Sequence, residues 1–294
     1  MSKNNHPAST FFQKQHTIFR CPICSKQMRV VNAKSLICSN DHCFDISKYG
    51  YVNLLSRSVN NKYDKKMFKS RRTLSKSGFF EPLYERITQS VMNRAAFKNE
   101  VTKVLDAGCG EGSNLSSILQ KINQSIPYEF LGVGVDISKE AIIAASRHYK
   151  SCIWCVADLA KCPFYDKQFD LILNILSPAN YSEFQRILED EGLVIKVVPD
   201  KDYLQEIREI LYEKTNKQHY SNDKTLELFR DNLDILDILN VRYTRILDNA
   251  LIRDLIQMTP LSWSATEVSL QKILKMNSLE ITIDLTILLG RKKL

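Results

Sequence analysis

Residues 104–112 read Val104-Leu105-Asp106-Ala107-Gly108-Cys109-Gly110-Glu111-Gly112, an apolar run that meets an acid and then three alternating glycines. Helical spacing resumes over 114–122, so the segment has the strand–loop–helix order of a parallel sheet. Glycines let the backbone approach a ligand closely at the carboxyl end of a strand, the edge where such sheets bind. The spacing is G-x-G-x-G and opens with Asp106. An acid at that point suits the cationic amino-acid part of S-adenosylmethionine and disfavours a pyrophosphate.

Working outward, strand-like stretches at 102–105, 130–135, 153–156, 169–172 and 193–198 alternate with helical spacing at 114–122, 141–149 and 181–188. Such alternation builds a parallel sheet with helices on both faces. The C-terminal part adds helical spacing at 203–211 and 265–276, a strand near 241–246 and a terminal strand at 280–288. A closing hairpin-like pair is what a seven-stranded methyltransferase sheet has and a plain dinucleotide-binding fold lacks. The expected fold is therefore α/β, a Rossmann-like, seven-stranded class I methyltransferase domain.

Two more acids stand at strand ends. Asp136, in Gly134-Val135-Asp136-Ile137-Ser138, is placed to accept both ribose hydroxyls. Asp158, in Val156-Ala157-Asp158-Leu159, follows the third strand, where a carboxylate meets an adenine amino group. Three acids at the ends of three successive strands make the signal far stronger than a glycine loop alone. The fourth strand ends in Asn174-Ile175-Leu176-Ser177-Pro178-Ala179, which makes Asn174, Ser177 and Pro178 the candidates for the substrate side.

A second motif lies near the N-terminus. Cys21-Pro22-Ile23-Cys24 puts two thiolates on one tight turn, and Cys38-x3-His42 supplies a second pair. Cys43 adjoins His42, so sets with either residue as fourth ligand are open from spacing. A segment this short buries little core, and metal ligation would supply its folding free energy through a closed, structural zinc site. The expected divisions are a flexible tail at 1–18, a zinc ribbon at 19–55, a linker at 56–66 and a catalytic domain at 67–294.

The 294 residues carry 41 Lys and Arg against 33 Asp and Glu, a formal charge of +8 that favours a polyanionic partner. No apolar run is long enough to span a bilayer and residues 1–15 lack a signal-peptide core, so a cytoplasmic location is expected. There the eight cysteines suit metal ligation and burial better than disulfides. Lys69, Arg71 and Arg72 are candidates for gripping RNA phosphates. Cys162 has to be weighed as the thiolate nucleophile of a C5-pyrimidine methyltransferase, though it lacks the expected partner residues. A small-molecule methyltransferase carrying an incidental ribbon is the other competing reading.

The order of these motifs carries a resemblance. The Cys-x2-Cys…Cys-x3-His ribbon runs into Phe44-Asp45-Ile46-Ser47-Lys48-Tyr49-Gly50-Tyr51-Val52-Asn53-Leu54-Leu55, then Met67-Phe68-Lys69-Ser70-Arg71-Arg72, Gly78-Phe79-Phe80-Glu81-Pro82-Leu83 and the loop 106–112. Over roughly 19–212 the chain resembles the RlmA-type 23S ribosomal RNA (guanine-N1)-methyltransferases. Residues 174–179 with Tyr181-Ser182-Glu183-Phe184 resemble the Gram-positive branch. The resemblance implies methyl transfer from S-adenosylmethionine to N1 of a guanine in a hairpin loop of 23S rRNA domain II. It implies a zinc ribbon that helps recognise the RNA, and a homodimer whose ribbons flank a cleft. It assigns zinc to Cys21, Cys24, Cys38 and His42. It also brings Phe80, Asn114, Leu115 and Tyr203 to the cofactor beside Asp106, Gly108, Gly110, Glu111, Gly112, Asp136, Ile137, Asp158 and Leu159.

Overall fold

The computed structural model describes residues 7–57, 64–94, 101–213 and 220–293. Near the N-terminus, strands β1 (Met28–Val31), β2 (Ser35–Cys38) and β3 (Cys43–Asp45) form a small antiparallel sheet, the ribbon. After it come β4 (Tyr51–Asn53) and the helices α2 (Lys65–Lys76) and α3 (Glu81–Arg94). Asp64 caps α2 by accepting the Met67 N–H at 2.8 Å, which starts the helix two residues before its apolar pattern begins. Residues 58–63 of the expected linker lie outside the described residues.

The large sheet contains β5 (Thr102–Ala107), β6 (Phe130–Asp136), β7 (Cys152–Val156), β8 (Phe169–Ile175), β9 (Leu188–Pro199), β10 (Leu233–Asp248) and β11 (Ser278–Lys292). Helices α4 (Ser113–Ser125), α5 (Lys139–His148) and α6 (Tyr181–Ile187) connect its parallel strands. The strand order is β10-β11-β9-β8-β5-β6-β7-β4. β11 enters antiparallel between β9 and β10, and the pairings from β9 through β8, β5, β6 and β7 to β4 are parallel. This is the expected class I architecture with one correction, eight strands rather than seven. The additional strand is β4, which pairs Tyr51 with Trp154 and Asn53 with Val156. The end of the ribbon segment is thus an edge of the catalytic sheet.

The tail expectation also changes. Residues 1–6 lie outside the described residues, but Pro7–Gln15 form helix α1 and Phe12 and Ile18 are fully buried. Phe12 stacks on Phe19 at 5.7 Å, Phe19 meets Phe164 at 5.4 Å, and Phe164 meets Phe169 edge-on at 4.9 Å. This row of rings runs from α1 through the ribbon's first residue into the catalytic domain. Burying each ring stabilises the junction by about 1.5–3 kcal/mol.

Between β9 and β10 lie α7 (Gln205–Leu211) and α8 (Asp223–Asn232). β10 is far longer than the stretch expected near 241–246, and the β10–β11 pair is no tight hairpin. Its connection holds α9 (Asn249–Met258) and α10 (Glu267–Leu274). Alternation along β5 sends Val104 into the core under α3 and α4 and Leu105 into the core under the aromatic row. On β6, Gly132 and Gly134 clear one face: a Cβ on Gly134 would sit 2.2 Å from Trp154 Cζ3. That indole, the largest fully buried side chain among the described residues, also lies under Gly112 and so supports the glycine loop from below.

Candidate cofactor site and metal centre

The loop after β5 adopts φ values of +83°, +57° and +85° at Gly108, Gly110 and Gly112, the left-handed region open to glycine. A Cβ on Gly108 would lie 1.9 Å from Ser177 Oγ, so the turn after β8 sits directly on this loop. Asp136 at the end of β6 ties the loop down by accepting Gly110 N–H at 2.9 Å and Ser138 N–H at 2.8 Å. Those bonds leave lone pairs on each oxygen for further donors. Ile137 beside it is half-buried. Asp158 is exposed and caps a short turn through Ala160 N–H at 2.8 Å, with Leu159 half-buried next to it.

Asp106 is fully buried and neither of its carboxylate oxygens has a hydrogen-bond partner among the described residues. Burial pushes its pKa up to about 7, against the pull of the Arg71 guanidinium. An unpartnered buried carboxylate is costly, and a cationic ligand group satisfies it. The residues therefore fit S-adenosylmethionine: an orphaned acid for its ammonium, a glycine cradle that any Cβ would crowd, and acids beyond the next two strands. Glu111, also buried, faces Arg71, with Arg71 Nε 3.4 Å from Glu111 Oε2.

Of the residues named by resemblance, Asn114 and Leu115 follow this loop directly. Both lie buried in the first turns of α4. Asn114 Oδ1 accepts the Tyr84 hydroxyl at 2.9 Å, and that hydroxyl also bonds Ser75 Oγ at 3.0 Å. Phe80 packs beside Tyr84 with ring centroids 6.3 Å apart. Tyr203 precedes α7; burial pushes its phenol up to about 12, and the Arg71 charge acts on it in the opposite sense. Arg71 thus lies against the glycine loop, while Lys69 is exposed and Arg72 Nη1 bonds His148 Nε2 at 2.6 Å. The sequence signal for that is weak, since three basic residues on one helix look alike until the helix packs.

The turn after β8 differs from expectation in one respect. Asn174 is fully buried and its amide is committed inside the protein. Nδ2 donates to Ala107 O at 2.7 Å and to Pro178 O at 3.1 Å, while Oδ1 accepts from Lys196 Nζ at 2.6 Å. Asn174 therefore joins the ends of β5, β8 and β9 and presents no free edge to a base. Lys196, on β9 opposite Asn174, also donates to Ser177 O at 2.9 Å. Burial pulls its pKa down to about 8. Leu176 holds φ +52°, a strained value for a leucine, so the turn is braced from beneath by Lys196 while Ser177 and Pro178 reach its outer side. Lys196 and Tyr84 are structural partners that no spacing rule singles out.

In the ribbon, Cys21, Cys24, Cys38 and His42 bring their ligand atoms within 4.8 Å of one another. Cys24 Sγ–Cys38 Sγ and Cys21 Sγ–His42 Nδ1 are both 3.6 Å apart, and Cys38 Sγ–His42 Nδ1 is 3.4 Å. Zinc bonds of about 2.3 Å to sulfur and 2.0–2.1 Å to nitrogen give tetrahedral edges of about 3.8 and 3.5 Å, so the cage fits Zn²⁺. Burial raises the Cys38 thiol, but backbone N–H groups of Asn40 and His42 outweigh it and bring it down to about 7, favouring the thiolate a metal needs. Cys43 opens β3 on the other side of the chain, exposed, with its Sγ 3.9 Å from Asp45 Oδ1. His42 is the residue that closes the cage.

Cys162 is buried and its thiol is pushed up to about 12, first by burial and then by Glu183, so it is no thiolate at neutral pH. Cys152 is likewise pushed up to about 12 by burial within β7. These are core thiols.

Residues 19–65 match the zinc-ribbon family described as RlmA, N-terminal, and residues 104–192 match a methyltransferase domain. Over 281 residues the chain is 40% identical to YxjB of Bacillus subtilis, a proposed 23S rRNA (guanine-N1)-methyltransferase, spanning 94% of this chain and 98% of that protein. It is 30% identical over 246 residues to the 23S rRNA (guanine(748)-N1)-methyltransferase of Streptomyces fradiae, spanning 83% of this chain and 85% of that one. Ribbon, cofactor loop and near end-to-end similarity agree: the chain belongs to the RlmA-type family of 23S rRNA (guanine-N1)-methyltransferases.

Proposed function

We propose that this protein methylates N1 of a guanine in a hairpin loop of 23S rRNA domain II, with S-adenosylmethionine as donor and the zinc ribbon helping to hold the RNA. The observation that carries the reading is the buried, unpartnered Asp106 at the glycine loop, on the same body as a docked Cys3His ribbon. When bound, S-adenosylmethionine supplies a methyl group on a sulfonium, reactive enough that positioning provides much of the catalysis.

Asp106 takes the ammonium of the cofactor, Asp136 the ribose hydroxyls through its remaining lone pairs, and Asp158 the adenine amino group through its second oxygen. Gly108, Gly110 and Gly112 would let the backbone close on the cofactor, and Phe80, Glu111, Asn114, Leu115, Ile137, Leu159 and Tyr203 would line its pocket. Asn174 acts by holding the turn that presents Ser177 and Pro178 to the substrate. The target base is splayed from its loop, which avoids opening a helix. Zinc, held by Cys21, Cys24, Cys38 and His42, keeps the ribbon folded.

The RNA partner is supported by the relatives and by the net charge of +8. A homodimer with two ribbons flanking the RNA follows from the family resemblance. The substrate supports a cytoplasmic location, and no described helix is long and apolar enough to cross a membrane.

Primer extension on 23S rRNA incubated with protein and S-adenosylmethionine tests the reading, because N1 methylation blocks Watson–Crick pairing. A new stop at one domain II guanine, lost with Asp106→Ala, is expected. Tight cofactor binding without any stop would sink the rRNA substrate.

A further inference from the structure

Among the described residues, Arg71 is a cation in contact with the cofactor loop that neither spacing nor resemblance assigns to the cofactor. It reaches from α2 across the loop, with Nε 3.4 Å from Glu111 Oε2 and Nη1 so close to Gly110 that a Cβ there would lie 3.1 Å from it. Its side chain is 20% exposed, too enclosed for a residue that grips phosphates at a surface. The Glu111 contact is a loose one: neither Glu111 oxygen makes a hydrogen bond among the described residues, so the guanidinium fork is not locked onto that carboxylate. Asp106 and Asp136 lie within electrostatic reach of the same guanidinium.

The floor of the site thus sets an orphaned carboxylate, Asp106, beside a planar five-donor cation. An α-amino acid presents an ammonium and a carboxylate on one carbon. The acid meets the first of these groups, and only a cation or N–H donors meet the second. Arg71 supplies that cation at the loop itself, in the fork geometry that matches a carboxylate.

We propose that Arg71 binds the carboxylate of the methionine part of S-adenosylmethionine, making with Asp106 a two-charge clamp for the zwitterion. The assignment rests on the cofactor reading of this site.

Calorimetric titration of the full-length, zinc-loaded protein with S-adenosylmethionine and with its decarboxylated analogue, which keeps the ammonium and lacks the carboxylate, tests it. Arg71→Ala is expected to weaken S-adenosylmethionine by about 10- to 100-fold, the range for a hydrogen bond to a charged group. The decarboxylated analogue should change by less than about threefold or bind more tightly, since removing the cation leaves the site more negative. Arg71→Lys should restore part of the affinity for S-adenosylmethionine only. Equal losses for both ligands, or no loss for either, would overturn the assignment and leave Arg71 a support for Glu111. If wild-type protein binds neither ligand, the cofactor reading itself falls, and Arg71 with it. Should Arg71→Ala not fold, Arg71→Gln carries the same comparison. The wild type alone must also prefer S-adenosylmethionine over the analogue by at least about tenfold.

Discussion

Replacing Lys196 with Met should flatten the alkaline part of the dependence of stability on pH. The Lys196 side chain is buried beneath the turn at 174–178, donating to Asn174 Oδ1 and Ser177 O, and burial pulls its pKa from 10.5 to about 8. Between those values the unfolded chain binds a proton that the native protein has released, so stability rises with pH across that window. The cost of burying the ammonium is felt in full below about pH 8 and is relieved above it. The fall from 10.5 to about 8 corresponds to roughly 3 kcal/mol in total, of which about 2–3 kcal/mol falls between pH 7 and pH 10. Met cannot titrate, so the stability gap between wild type and variant should move by about 2–3 kcal/mol in favour of the wild type over that range. Leaving two buried acceptors without a donor adds an offset of about 1–3 kcal/mol each, which the pH series separates from the titration. Urea unfolding followed by tryptophan fluorescence at pH 7, 8, 9 and 10, at fixed ionic strength, measures the gap directly. Parallel curves for the two proteins would refute the buried, depressed ammonium.

Because the Asp106 pKa lies at about 7, affinity for S-adenosylmethionine should fall below that pH, approaching tenfold per unit, and equilibrium binding should show this slope vanish in Asp106→Asn. At pH 8 the same variant should bind S-adenosylmethionine about 10- to 100-fold more weakly than wild type. Cys43→Ser should retain a full complement of zinc by metal analysis whereas His42→Ala should lose it; the opposite pattern would show that Cys43 closes the cage. Gly134→Ala drives a Cβ to 2.2 Å from a rigid indole, so it should cost about 1–3 kcal/mol in urea melts and weaken cofactor binding through Gly112.

Much of the site is legible in the amino-acid sequence because its chemistry is local. Asp106, Asp136 and Asp158 each follow a short apolar strand, and a parallel sheet must bring successive strand ends to one edge. Cys21-x2-Cys24 and Cys38-x3-His42 are two turns, and a turn determines which ligands face inward. Other features turn on partners remote in the chain. Asn174 reads as a substrate-facing amide until Lys196 of β9 and Ala107 O of β5 take up its hydrogen bonds. Arg71 reads as one of three similar basic residues until α2 is laid across Gly110 and Glu111. β4 has three residues, too few for alternation to register, and exists as a strand only because β7 offers its open edge. α1 carries little signal because Phe12 has no periodic company; it is buried against Phe19, which in turn meets Phe164. Helix α9, by contrast, has a readable cap in Asp248 and paired apolar residues at 251–252 and 255–256, and it stands outside the expected elements although its signal is local.

The sequence alone therefore determined the fold class, the metal-binding residue types and the acids at three successive strand ends, since each depends on spacing within one turn or one strand–loop unit. Tertiary structure alone decided that the Arg71 guanidinium lies against Gly110 and Glu111, and that Asn174 is held inside the protein by Lys196 and Ala107 O. Those outcomes depend on which way a side chain faces once distant segments pack, and packing is a property of the whole chain.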